Sequence, residues 1–371
     1  MMQEKALKFN AFLYCIILAG TIIVSGCGEN KRKIENADRK AILNSITKET
    51  ILPAFEDFAR QSDSLFAATK IFITKPDSLS LERVRRQWQS AAVTWKTAGT
   101  YSFGPIDDHF LSGAIDYSSV HYPNIEKNIN SGAVIDNSYI ESRGSSLKGL
   151  KAIEYLLFKN ASKDSVISDF TSSQKRREYL SALAYNLTLQ AKKVLDAWEG
   201  TTTPYATVFA NADGRDLKSS LNILVNKCIS QLNAIKDEQL AVPLGMRNGG
   251  NIDPASIEGR LSGASLELIR SEIAGVQKCF GNGKAIGLYT LLDQLNAQYD
   301  DKPLSVAIAN QFAEIERTCE SITMPLDKAI IQEPEKVRDF YESLKKLQIL
   351  ISVDVVNQFG IILTFSDNDG D

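Results

Sequence analysis

Two histidines occur in the 371 residues, His109 and His121, and both fall in one stretch punctuated by Gly and Pro. His109 follows Asp107-Asp108, and imidazole beside carboxylate is a donor set able to ligate a divalent metal. A catalytic zinc commonly takes three protein ligands and keeps one position open. No second His stands four residues from the first on a helical pattern, and HExxH, GxSxG and the phosphate-cradling P-loop are missing. The more suggestive carboxylate is Glu154, within Gly149-Leu150-Lys151-Ala152-Ile153-Glu154-Tyr155-Leu156-Leu157-Phe158. Its neighbours are so apolar that its side chain can point into a crevice. Lys151, one turn earlier, shares its helical face, so the two can pair across i,i+3. A metal-bound Glu154 could act as general base; a protonated Lys151 could instead hold an anionic group.

A third reactive side chain is Cys27. Lys5 and Lys8 precede a short apolar run, Phe12 to Val24, and Val24-Ser25-Gly26 leads into the cysteine. A secretory signal reads this way, and the run is short for a membrane span. The Ser-Gly-Cys junction resembles a bacterial lipobox, whose thiol is acylated as the mature N-terminus. Residues 1–26 are therefore expected to leave as a signal peptide, and 27–37, polar and charged, to form a tether. Two or three acyl chains on Cys27 would hold the protein at a membrane. Cys228, Cys279 and Cys319 remain in the body without a CxxC pattern. They read as buried apolar thiols or as one disulfide with a free thiol.

A composition of 44% hydrophobic and 23% charged residues suits a globular body with a sizeable core. The net charge of -3 implies no basic surface and argues against nucleic acid as a partner.

The elements that must position these side chains read as helices almost throughout. Apolar residues from Ile42 to Phe66 recur mostly at steps of three and four or their sums, and those from Leu81 to Trp95 at steps of three and four, with Pro53 expected to kink or break the first helix. Asp77-Ser78 offers a cap to the second. Phe103 to Gly144 is expected to be an irregular excursion with short helical turns, and such excursions are often functional. Helical rhythm returns over 146–158, 172–198, 216–240, 266–280, 285–297, 303–322 and 334–359. Pro243 to Gly263 is irregular again. The expected fold is all-α, with two related antiparallel bundles packed side by side: 38–200 and 201–371, divided near Gly200 to Pro204.

Several segments, in order, resemble the imelysin-like family. GLKAIEYLLF is similar to its GxHxxE motif. Trp88 and Trp95, then Ser102-Phe103-Gly104-Pro105, resemble its paired tryptophans and Phe-Gly-Pro. Ile115-Asp116-Tyr117 with Pro123 resembles the Ile-Asp segment that follows. Ile257-Glu258-Gly259-Arg260-Leu261-Ser262, with Ser265-Leu266, resembles a Glu-containing segment opening a helix of the second half. Asp354-Val355-Val356 through Phe365 to Asp371 resembles its Asn-Asp-Gly-Asp terminus. The resemblance implies two related helical bundles with a site at their interface, an envelope location and a part in iron acquisition. The family is classed among metallopeptidases, although proteolysis by its imelysin-like members is disputed. Here Lys151 stands where the motif has His, and a lysine that is cationic at neutral pH is not an ordinary metal ligand.

The binding candidates are therefore Gly149, Lys151, Glu154, Glu258 and Arg260. Glu154 and His109 are the metal candidates, for iron or zinc, and Cys27 is the lipid attachment point. The expected function is a lipid-anchored, non-catalytic envelope protein with a ligand site between its bundles. It would serve iron or other nutrient acquisition, its partners being the membrane and envelope metal-uptake proteins. The alternatives are a metallopeptidase using Glu154 and a structural envelope scaffold.

Overall fold

The structure is a computed structural model describing residues 38–200, 204–281 and 285–364. The expected signal peptide, Cys27, the tether and the C-terminal segment 365–371 lie outside the described residues.

The first apolar stripe folds as α1 (Arg39–Ile46), a π-helical turn (Thr47–Ile51) and α2 (Leu52–Thr74) in one continuous run. The break expected at Pro53 is this π turn. Proline lacks an N–H and its ring crowds the carbonyl four residues back, and a widened turn gives it room. The Leu52 N–H accordingly reaches five residues back, to the Thr47 carbonyl. After the short link 75–77, α3 (Ser78–Gly99) turns back along α2. Its start is a reciprocal cap: Asp77 accepts from the Ser80 N–H, and the Ser80 hydroxyl accepts from the Asp77 N–H. Its buried face carries Leu81, Val84, Trp88, Ala92 and Trp95, as the spacing requires.

The excursion between Thr100 and Lys148 contains short helices at Pro105–Asp108, Leu111–Ile115, Tyr122–Ile129 and Asn137–Glu141. It leads into α4 (Gly149–Phe158) and, after a helix at Lys163–Ser172, into α5 (Gln174–Glu199). Helices α2 and α5 are antiparallel, with Phe55 against Trp198 at 5.5 Å and Phe66 against Tyr185 at 5.2 Å between ring centroids.

In the second half α6 (Ser220–Asn233) runs on as a π-helical segment, Ala234–Ala241. It lies antiparallel to α7 (Ser265–Phe280), with Cys228 near Cys279 and Gln231 near Glu272. Then follow α8 (Leu304–Glu320) and α9 (Pro334–Ile349), packed on each other. Among the described residues the strands are the two-residue pair Gln298–Tyr299 and Lys302–Pro303. No helix among them is long and apolar enough to cross a membrane. The fold is all-α, two antiparallel bundles side by side.

The seam between the halves is α3 beside α7, running in the same direction. Gln89 donates to Glu267, the Thr97 hydroxyl to the Ser271 carbonyl at 3.1 Å, and the Tyr101 hydroxyl to the Gly275 carbonyl at 2.8 Å. Gly275 permits this approach: a Cβ there would lie 2.3 Å from Thr100 Oγ1 and 2.7 Å from the Thr97 carbonyl oxygen. Buried apolar side chains of both halves form one connected core, and each large one contributes roughly 1.5–3 kcal/mol.

Candidate functional site

The site is assembled by docking α4 onto α3. The Trp88 indole donates to the Leu150 carbonyl at 2.8 Å, and the Arg85 guanidinium donates twice to the Leu157 carbonyl at 3.0 and 2.7 Å. Gly149 then brings the excursion in. Its φ is +80°, and a Cβ would lie 2.3 Å from the Ile115 carbonyl oxygen. Glycine therefore allows the first turn of α4 to rest against the backbone just before Asp116. Asp116 and Lys151 face one another as a result, with Nζ 3.9 Å from Oδ1.

Lys96, on α3, is the centre of the arrangement. Its Nζ lies 2.9 Å from Asp116 Oδ2, 2.7 Å from Glu258 Oε1 and 2.9 Å from Glu272 Oε1. An ammonium has three protons, and three carboxylates take them. The Lys96 side chain is 10% exposed, Asp116 7% and Glu272 4%, so these are desolvated charges. Lys151 lies 3.2 Å from Glu258 Oε1 and donates to the Ser118 carbonyl at 3.3 Å. The second Glu272 oxygen accepts from Gln231 and Gln239, both at 2.8 Å.

Burial works against the Lys96 ammonium, yet Asp116, Glu258 and Glu272 together hold its pKa well above the usual value. Burial likewise pushes Glu258 up, but Lys96 and Lys151 overcome it and hold its carboxyl down at about 2. For Glu272 burial prevails over Lys96, and the carboxyl sits above its ordinary range.

Glu154 is buried, at 5% exposure, and its Oε1 accepts from the Ser262 N–H at 2.9 Å and the Ser262 hydroxyl at 2.7 Å. Burial raises its pKa against those two bonds. It makes no ion pair with Lys151, although their spacing suggested one. The 257–263 loop offers Glu154 fixed donors, while Lys151 finds two carboxylates in the cleft. The structure thus brings Gly149, Lys151 and Glu258 to one place and sets Glu154 beside them. Arg260 is exposed and outside the cluster, its charge acting on the Tyr122 hydroxyl. His109 is exposed at the end of the Pro105–Asp108 helix. His121, also exposed, caps the Tyr122–Ile129 helix by accepting the Asn124 N–H. Among the described residues no group of three or more His, Cys, Asp or Glu side chains is placed to hold a metal ion.

Sequence reasoning did not single out Lys96, Glu272, Gln231 or Gln239, and it met Asp116 and Ser262 only as parts of family-like segments. The signal for two of them was present. Lys96 falls between buried Ala92 and Thr100, and Glu272 between buried Leu268 and Val276, each a charge set one turn from core residues on both sides.

The charges line a cavity of about 280 Å³ at the seam. A larger groove of about 1150 Å³, between α7 and α8, contains none of the clustered charges.

The imelysin family profile matches residues 51–351. An imelysin-like protein from Psychrobacter arcticum has the same fold at 18% identity and a TM-score of 0.72, over 88% of this chain and 97% of that one. So does a protein from Parabacteroides distasonis provisionally named an iron-regulated protein A precursor. That match has 18% identity and a TM-score of 0.72, over 86% of this chain and 95% of the other. No curated protein matches the chain.

Proposed function

This chain belongs to the imelysin family, and from that premise we propose a lipid-anchored envelope protein that binds a ligand at the seam between its bundles without cleaving it, in the service of iron or other nutrient acquisition. The observation that carries this reading is the position of two ammonium groups among the carboxylates. Lys96 and Lys151 supply the positive charge that a resident metal would otherwise bring to Asp116, Glu258 and Glu272. The family's implied metal does not fit these residues well. Lys151 replaces the motif's imidazole, and the carboxylates are already engaged. Glu154, the candidate general base, is held by Ser262. Envelope placement is supported by the segment from Lys5 to Cys27 and by the precursor name of the Parabacteroides protein. The iron role is supported by that same protein's name.

The test is metal analysis and peptide cleavage with the full-length protein, after equilibration with zinc or ferric iron and removal of excess. No stoichiometric metal and no cleavage is the expected result. One tightly held zinc, with cleavage abolished by Glu154→Gln, would establish the metallopeptidase reading instead. Lys151→His sets an imidazole beside Asp116 and Glu258 and is expected to gain divalent-metal affinity. Mass spectrometry of the mature protein should find an acylated Cys27 at its N-terminus, and Cys27→Ala should move the protein to the soluble fraction.

A further inference from the structure

Cys228 on α6 and Cys279 on α7 are fully buried, and their sulfurs lie 3.8 Å apart. That is a contact distance for two thiols that are not bonded. A disulfide holds its sulfurs about 2.05 Å apart, so each has to advance by only about 0.9 Å to close the bond. Cys319 is elsewhere, on α8, where it lines the wide groove beside Arg270, Glu316 and Glu320. Position therefore selects one pairing among the three cysteines. Oxidation strands no buried polar atom. The Cys279 thiol faces the Gly275 carbonyl at 3.6 Å, and the Tyr101 hydroxyl donates to that same carbonyl at 2.8 Å. A thiol is a weak donor, so the carbonyl stays satisfied once the thiol proton is gone.

The two cysteines are 51 residues apart along the chain. Between them lie the π-helical segment Ala234–Ala241 and the irregular stretch that carries Glu258 and Ser262. A cross-link over a loop of that length removes much of the freedom of the unfolded chain. It also fixes α6 on α7. Gln231 is one turn from Cys228, Glu272 is two turns from Cys279, and these two meet at 2.8 Å. Glu272 in turn holds Lys96 at 2.9 Å. A bond between the cysteines would set the register of the two helices close to where they meet the charged cluster.

Resting on the envelope placement proposed above, a setting where disulfides persist, we infer that Cys228 and Cys279 are joined by a disulfide in the exported protein and that Cys319 stays a thiol. The oxidant is another disulfide, of the kind carried by thiol–disulfide oxidoreductases and by oxidised glutathione. One cysteine thiolate attacks a donor sulfur and displaces the other donor sulfur as a thiolate. The second cysteine thiolate then attacks the protein sulfur of the mixed disulfide and displaces the remaining donor sulfur. The protein dithiol gives up two electrons and two protons, and the donor takes them up as two thiols. The exchange precedes the closing of the core, because in the folded protein both sulfurs are out of reach of a donor. Cys279 is moreover held there as a thiol, by the hydrogen bond to Cys228 and by burial. Folding then seals the bond from reductants.

The test takes the mature protein from the envelope without reductant, denatures it in excess iodoacetamide and maps it by mass. Cys319 should be alkylated, and Cys228 and Cys279 should appear in one linked peptide pair, about 2 Da lighter than the two thiol peptides together. Reduction beforehand should leave all three alkylated. Cys319→Ser should keep the linked pair. Free Cys228 and Cys279 in a chain that carries lipid on Cys27 overturn the inference, as does a bridge that includes Cys319. A second arm does not depend on where the cell puts the protein: the reduced chain, refolded from guanidinium in a glutathione redox buffer, should form the same pair in most molecules. Failure there overturns the inference as well. A chain without lipid on Cys27 removes the envelope placement instead, and the refolding arm then decides the pairing. The thermal midpoint of the refolded protein should fall by several degrees when reductant is present throughout, and that of Cys228→Ser should not respond. An equal response in Cys228→Ser would show that no bond between these sulfurs holds α6 on α7.

Discussion

Replacing Lys96 with Met would leave Asp116, Glu258 and Glu272 facing one another away from water. Breaking a buried charge group by removing one partner costs about 3–5 kcal/mol, and that is the loss expected for Lys96→Met in urea denaturation at pH 7. The loss should shrink at pH 5, where crowded carboxylates take up protons; an equal loss at both pH values would contradict the charge argument. Glu258 sets the acid limit of the wild-type protein. Its pKa falls on folding from about 4.5 to about 2, so its contribution is complete above the higher value and drains away as pH drops toward the lower. The contribution is on the order of 3 kcal/mol and should vanish from the pH–stability curve of Glu258→Gln. Glu154 and Glu272 act oppositely: their pKa values rise on folding, so their ionisation increasingly opposes folding as pH climbs through those raised values. Some of this was legible in the sequence. Glu154 stood out as a carboxylate in an apolar helix, and it is buried. Its partner did not, because helical spacing describes neighbours on one helix, whereas Ser262 arrives from 108 residues along the chain.

At the scale of elements, the glycine of the GxKxxE segment places α4 against the excursion. Gly149→Ala has to adopt left-handed backbone, which costs roughly 1–2 kcal/mol, and it also drives a methyl into the Ile115 carbonyl. A loss of at least about 2 kcal/mol is expected in thermal or chemical denaturation, and an unchanged midpoint would mean that α4 does not rest there. The longer helices were readable because each repeats its apolar stripe over several turns. Lys163–Ser172, Tyr205–Asn211 and Leu326–Gln332 were not, since each buries only two or three residues, too few to mark a stripe. The π turns were invisible for another reason. They shift register by one residue within an unbroken helix, and only Pro53 hinted at the first.

Across the described residues, one core runs through both halves, and Cys228, Cys279 and Cys319 are buried in it. Cys228 and Cys279 have sulfurs 3.8 Å apart, and Cys319 is 3% exposed. Hydrogen bonding to Cys228, together with burial, pushes the Cys279 thiol well up, and burial pushes Cys319 up to about 11. Thiolate is the reactive form, so iodoacetamide should leave the three residues unmodified in the native protein at pH 8. Rapid native labelling, read by mass, would show that the core opens there. Amphipathic stripes announced that both halves would be helical. They said nothing of how the halves meet, because a seam built on Gly275, Thr97 and Lys96 shows in the sequence only as small and polar residues on helix faces.

Lys96 gathers its carboxylates from the excursion, from the 257–263 loop and from α7, the last two far along the chain. Those stretches can converge only after long loops have closed, so the ammonium is expected to find its partners late on the folding route. An interaction absent at the barrier holds the native state without helping the chain reach it. The stability lost in Lys96→Met should therefore appear on the unfolding limb of the chevron, with the refolding limb almost unmoved. The side chain at the centre of the seam would then govern how long each molecule stays folded once folded.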